Sequence, residues 1–204
     1  MKGYWISFEG GEGSGKTTLI QLLEEELIKR GKDVLVTREP GGVPIAEQIR
    51  DVILRLDNTE MDPITEALLF AASRRQHLVE KVLPALEQGK VVLMDRYVDS
   101  SIAYQGYARG LGMEEIRALN DFAIQGALPD VTFWIDIDPE IGLSRIASSG
   151  RKVNRLDKEA KRFHERVREG YRRISQTTDR FITIDGDQAP EEIIKQILER
   201  IEIK

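Results

Sequence analysis

The sequence contains no cysteine among its 204 residues. That excludes a disulfide framework, a thiolate metal site and a thiol nucleophile. It has two histidines, His77 and His164, both within helical patterns, and no histidine-based acid–base constellation is visible. No apolar run approaches the roughly 20 residues of a membrane-spanning helix. The opening stretch MKGYWISFEGG lacks the apolar segment of a secretory leader. A cytoplasmic protein that does not engage a membrane is the expectation. An excess of positive charge is also missing, since the formal net charge is −5. That argues against a broad nucleic-acid-binding face, which is usually basic. It leaves room for a local group of arginines holding a small anion.

What is present is a regular alternation of strand and helix patterns. Short β-rich apolar runs occur at 4–8, 33–37, 91–95, 132–138 and 180–185. VVLMD (91–95) has no polar alternation, as expected of a strand covered on both faces. Helical spacing of apolar residues marks 17–30, 45–56, 65–88, 113–125, 139–148, 160–177 and 190–203, with Pro84 expected to bend or break the third of these. Strands alternating with helices imply right-handed crossovers and a parallel sheet with helices on both faces. The length suits one domain over 1–204, with no repeat or linker. The charged stretch from about 148 to 160 lacks an apolar stripe and is the candidate lid.

Residues 8–19 read FEGGEGSGKTTL. Gly10-x-x-x-x-Gly15-Lys16-Thr17 fits the phosphate-binding P-loop pattern, with a strand before it and a helix after it. Glycines let backbone N–H groups converge on phosphate oxygens, and the helix N-terminus adds a positive dipole end. The candidate triphosphate-binding residues are therefore Gly10, Gly11, Glu12, Gly13, Ser14, Gly15, Lys16, Thr17 and Thr18. Lys16 is placed to reach the β- and γ-phosphates and the Thr17 hydroxyl to ligate Mg²⁺. Glu12 is anomalous, because a carboxylate among phosphates is unfavourable unless it faces elsewhere. It is expected to point toward a hydroxyl of a second substrate. The guanine-reading NKxD, the DxxG switch and the LSGGQ signature are all absent, which disfavours a signalling GTPase or a transporter ATPase. A small-molecule kinase of this length remains.

Further stretches bearing arginine and hydroxyl groups lie where strands end or helices begin: TREPGG (37–42), IAEQIR (45–50), LLFAASRRQH (68–77), MDRYVDSSIAYQG (94–106) and GRKVNRLD (150–157). Ligands of open α/β sheets bind beyond the carboxyl ends of strands, the rim that also carries the P-loop. With D-R-Y-x-x-S-S-x-A-Y-Q at 95–105, and with TREPGG and LLFAASR in support, the chain resembles the thymidylate kinase family from end to end. The resemblance implies a P-loop kinase fold with a five-stranded parallel core, a homodimer, and transfer of phosphate from ATP to dTMP with Mg²⁺.

By position, the resemblance implies that Phe70 stacks on thymine and Arg74 donates to its O4, with Ser101 and Gln105 at the base edge. Tyr104 would lie by the sugar, and Glu12 would face the 3′-hydroxyl. Arg38, Arg50 and Arg96 would hold the monophosphate, and Asp95 would lie near Mg²⁺. Some branches of the family carry an arginine in the P-loop where this chain has Gly13. Others place basic residues in the lid, where this chain offers Arg151, Lys152 and Arg155. The catalytic set expected is thus Lys16, Asp95, Arg96, Arg151 and Arg155. Ser73 and Asn154 stand where many relatives carry an acid.

Overall fold

The computed structural model describes residues 3–148 and 154–203. Its strands are β1 (Tyr4–Glu9), β2 (Val34–Arg38), β3 (Val91–Asp95), β4 (Val131–Asp136) and β5 (Phe181–Asp185). All pair in parallel, in the order β2-β3-β1-β4-β5. The chain builds outward from β1 to one side and then to the other. The crevice beyond the end of β1 is therefore the switch point at which such sheets bind ligands. Arg96 follows β3 directly, and its N–H donates to the Phe8 carbonyl at 2.9 Å, so the two strand ends leave the sheet together.

The helices are α1 (Lys16–Lys29), α2 (Pro44–Leu54), α3 (Pro63–His77), α4 (Leu83–Glu87), α5 (Val98–Ser101), α6 (Met113–Ile124), α7 (Pro139–Ser148), α8 (Lys161–Ser175) and α9 (Pro190–Leu198). Residues on β1 alternate between two apolar layers. Ile6 and Phe8 face a layer shared with Leu19, Leu23, Ile193 and Ile197 of α1 and α9. Trp5 faces a second layer shared with Tyr97, Ile102, Val167 and Tyr171. Each face of the sheet is covered, as the unbroken apolar strands require.

Three differences from the sequence reading have physical causes. The helix expected over 65–88 is divided: α3 ends at His77, a π-helical turn spans Leu78–Val82, and α4 follows with Pro84 in its first turn. The widened turn accommodates a ring that lacks an N–H. The helix expected to reach 203 stops at Leu198, and Ile201 and Ile203 instead pack onto the apolar layer. The segment after β3, to which the sequence reading assigns no element, is α5 followed by a π-helical stretch over Ile102–Ala108. It packs mainly against α8 and α6.

That segment is tethered by charge as well as by packing. Asp99 is 1% exposed and accepts two hydrogen bonds from Arg180, both at 2.8 Å. Removing one partner from a buried pair leaves an uncompensated charge, at a cost of about 3–5 kcal/mol. Arg180→Met is therefore expected to lower the melting temperature by roughly 2–4 °C per kcal/mol lost. Adding Asp99→Asn should recover much of that loss. Thermal unfolding of both variants checks this, and a single variant as stable as wild type contradicts it.

Candidate active site

The P-loop connects β1 to α1. Gly15 caps α1 in a left-handed conformation (φ 87°), which glycine adopts without a Cβ clash. Lys16 is buried, and its ammonium donates at 3.1 Å to the carbonyls of Gly10 and Gly11 and to the Ser14 hydroxyl. Burial, with the Arg96 charge adding to it, lowers the Lys16 pKa to about 8. Thr17 is exposed at the helix start, and its hydroxyl donates to Asp95 at 3.4 Å. This hydroxyl and carboxylate, beside a phosphate cradle, make an oxygen donor set of the kind Mg²⁺ uses together with substrate phosphates.

Gly13 (φ 70°) packs backbone to backbone against α7. A Cβ at Gly13 would lie 2.0 Å from the Gly142 carbonyl oxygen, and one at Gly142 would lie 2.2 Å from that of Glu12. An arginine at position 13 would require the loop or α7 to move.

Arg96 is the second cation. It is one of two non-glycine residues with positive φ among the described residues, at 70°. Such a conformation costs of order 1–3 kcal/mol and persists only when its surroundings hold it. The Arg96 guanidinium donates to Glu12 at 2.8 Å and to Ser100 and Tyr171 at 3.3 Å each, and it lies 5.0 Å from the Tyr104 ring centre. Tyr104 also donates to Glu12, at 3.0 Å. Glu12 is thus turned across the cleft toward Arg96 and Tyr104.

Arg38 and Arg50 stand on the TREPGG side. Arg38 grips Glu47 with contacts of 2.6 and 3.2 Å and holds that carboxyl below its ordinary pKa. Arg50 donates to the Pro40 carbonyl at 2.8 Å. Arg74 is 1% exposed. Its Nε bonds Glu39 at 2.7 Å, Nη1 bonds Ser101 at 3.0 Å and also Asn120, and Nη2 bonds the Tyr97 carbonyl at 3.1 Å. A guanidinium has five N–H donors, so these contacts leave one on Nη2 for the cleft. Half-buried Phe70 lies one helical turn before Arg74.

One cavity of about 560 Å³ gathers Glu12 to Thr18, Arg38, Arg50, Phe70, Arg74, Asp95, Arg96, Ser101, Tyr104 and Gln105. Gly10 and Gly11 lie behind it, as carbonyl partners of Lys16. Arg151 and Lys152 lie outside the described residues. Arg155 does not line this cavity, although its neighbours Asn154 and Leu156 do. It donates to the Ile53 carbonyl at 2.9 Å and pairs with buried Glu66, which Arg109 and Gln105 also contact. Burial alone would raise the Glu66 pKa, but Arg109 and Arg155 bring it below the ordinary value.

The sequence reading missed Glu39 and Asn120, which fix Arg74, and Ser100, Glu9 and Tyr171 behind Arg96. Glu9, Glu39 and Ser100 lie inside the quoted stretches and were within reach. No local signal marked the other two.

The depressed Lys16 pKa has a measurable consequence. Above about pH 8 the free protein loses the Lys16 proton, and an arriving polyanion restores it. Triphosphate binding should therefore take up a proton in that range and weaken as pH rises. Calorimetry in two buffers of different ionisation enthalpy reads the uptake. Wild type should show it and Lys16→Met should not; no uptake by wild type contradicts the assignment.

Comparison with known proteins agrees with the geometry. The family model described as thymidylate kinase matches residues 8–197. Among curated relatives, thymidylate kinase of Halalkalibacterium halodurans is 56% identical over 202 residues, covering 98% of this chain and 96% of the relative. That of Geobacillus thermodenitrificans is 57% identical over 208 residues, covering 99% and 92%. A crystal structure of thymidylate kinase from Ehrlichia chaffeensis superposes with a TM-score of 0.81 at 32% identity, covering 99% of this chain and all of that one. A P-loop opening into a cleft of arginines, on a fold shared along its whole length with these proteins, places the chain in the thymidylate kinase family, among the nucleoside monophosphate kinases.

Proposed function

We propose that the protein transfers the γ-phosphoryl group of ATP to the phosphate of dTMP, giving ADP and dTDP for nucleotide biosynthesis in the cytoplasm. The observation that carries this reading is the single cavity joining the P-loop to Phe70, Arg74 and Arg96. Donor and acceptor can meet within that one cavity. An aromatic face beside hydrogen-bond partners suits a nucleobase. Arginine suits a phosphate, through planar paired contacts.

An oxygen of the dTMP phosphate attacks the γ-phosphorus, and the bond to the β–γ bridging oxygen breaks. The second pKa of a phosphate monoester is near ~6, so the nucleophile is already mostly dianionic at neutral pH. No strong general base is needed, and the described residues that line the cavity include no histidine. The difficulty is bringing two polyanions together in line. Lys16 neutralises the donor's terminal phosphates, and Arg96, Arg38 and Arg50 gather the acceptor. The Thr17 hydroxyl and the Asp95 carboxylate would hold Mg²⁺ when it arrives with the triphosphate, and the ion would supply further neutralisation of the phosphate charge. Glu12, released by Arg96, receives the sugar 3′-hydroxyl, and Tyr104 closes the space beside the sugar. Ser101 and Gln105 complete the base edge.

A homodimer fits the exposed apolar side chains on α2, α3 and α6. Phe122 is 83% exposed, Ile64 58% and Leu68 52%. A second copy of the chain covering that face would remove a large apolar area from water. Phe122→Glu is expected to convert the dimer to a monomer, as read by light scattering. A dimer unchanged in size contradicts this interface.

ADP release from ATP and Mg²⁺, measured with a panel of monophosphates and with none, tests the reaction. dTMP should be the best acceptor. dUMP should be weaker by the ~1–3 kcal/mol of one pocket methyl. dCMP should be poor, because its amine presents a donor to Arg74. Arg96→Ala should lower turnover by about 10²-fold or more, as loss of a transition-state donor does. Equal turnover on dCMP, or ADP release that needs no acceptor, contradicts the proposal.

A further inference from the structure

Glu9, the last residue of β1, is fully buried, so no substrate can touch it. Its carboxylate nevertheless reaches Arg96 by two routes. Through Oε1 it accepts the Tyr97 N–H at 2.7 Å. The Arg96 N–H is taken by the carbonyl of the preceding β1 residue, Phe8, at 2.9 Å. Both peptide N–H groups flanking the Arg96 Cα are thus held by β1, at the point where the backbone takes its left-handed turn.

The second route runs to the guanidinium. Glu9 Oε2 accepts the Ser100 hydroxyl at 2.5 Å and the Tyr171 hydroxyl at 2.8 Å. Each hydroxyl has one hydrogen. Once that hydrogen is given to Glu9, the oxygen's lone pairs are left for Arg96, whose Nη1 lies 3.3 Å from both. Ser100 and Tyr171 come from different elements, α5 and α8, and their oxygens lie 2.9 Å apart. An acceptor behind both lets each hydroxyl give its hydrogen away from the cation and turn its lone pairs toward it.

We infer that Glu9 is a positioning residue for the phosphoryl transfer: it clamps the strained Arg96 backbone and turns Ser100 and Tyr171 into acceptors that aim its guanidinium at the acceptor phosphate. This deepens the proposed reaction and rests on Arg96 serving there.

Glu9→Gln is the matching test. The amide keeps the size of the carboxylate and can keep the Tyr97 contact. Its NH₂ donates where the carboxylate accepted, which reverses the polarity of both hydroxyls. The variant is expected to lower kcat on dTMP by about tenfold or more, with KM for ATP within about twofold of wild type. In an Arg96→Ala background the same change should lose almost nothing further, because it acts through a group already removed. The NMR signal of the Arg96 guanidinium should be ordered in wild type and averaged in Glu9→Gln. If Glu9→Gln folds poorly, Ser100→Ala combined with Tyr171→Phe removes only the guanidinium route and should show the same kcat loss. Equal losses in the wild-type and Arg96→Ala backgrounds overturn the inference, as does an unchanged guanidinium signal. The two readings fail separately: near-wild-type turnover of Arg96→Ala removes Arg96 from the transfer, whereas the guanidinium signal tests Glu9 alone.

Discussion

Lys16, Arg38, Arg50, Arg74 and Arg96 converge on one cavity, and like charges at such range repel. Each must be held in place before a phosphate arrives to neutralise it. The protein meets this constraint one cation at a time. Arg38 rests on Glu47, Arg74 on Glu39 and Arg96 on Glu12. Lys16 and Arg50 rest on backbone carbonyls. These partners differ in how readily they let go. Glu47 and Glu12 keep some contact with solvent and can yield their arginines to a stronger anion. Glu39 is buried with Arg74, and that pair behaves as fixed framework.

This arrangement explains why the fold places its acids where it does. Glu9 and Glu12 bracket the start of the P-loop, on either side of its first glycines. Burial and the Asp99 carboxylate push the Glu9 pKa up to about 7, against the pull of Ser100, Arg96 and the Tyr97 N–H. Asp99 is in turn neutralised by Arg180 across the sheet edge. A chain of charged groups therefore runs from Arg180, just before β5, through Asp99 of α5 and Glu9 to Arg96 and Glu12 in the cleft, with the two neighbouring carboxylates Asp99 and Glu9 held between the arginines. The strained turn at Arg96 sits in the middle of it.

Much of this was legible in the sequence, for physical reasons that can be named. The strands stood out because both faces of the sheet are covered, which leaves apolar runs without alternation. The P-loop stood out because only glycines permit its backbone. The π-helical stretch carrying Tyr104 and Gln105 did not, because Ser, Asp and β-branched residues give 96–108 weak helical propensity and packing against α8 overrides it. Which residues Arg74 and Arg155 pair with was also hidden, even though Glu39 itself lies inside TREPGG. Glu39, Asn120 and Glu66 reach these arginines from positions distant in the chain, and no periodicity encodes such a meeting. Gly13 was read as the place of a missing arginine. The packing adds the cause, because the Gly142 backbone occupies the space a side chain there would need.

The account stands on the transfer of Arg96 from its resting partner to the acceptor. The most direct measurement is a crystal structure of the protein with ADP and dTMP bound. It should show Arg96 keeping its left-handed backbone, with its guanidinium within hydrogen-bond distance of the dTMP phosphate and Glu12 turned to the sugar. A complex in which Arg96 still pairs only with Glu12, while other residues hold the phosphate, would contradict the account.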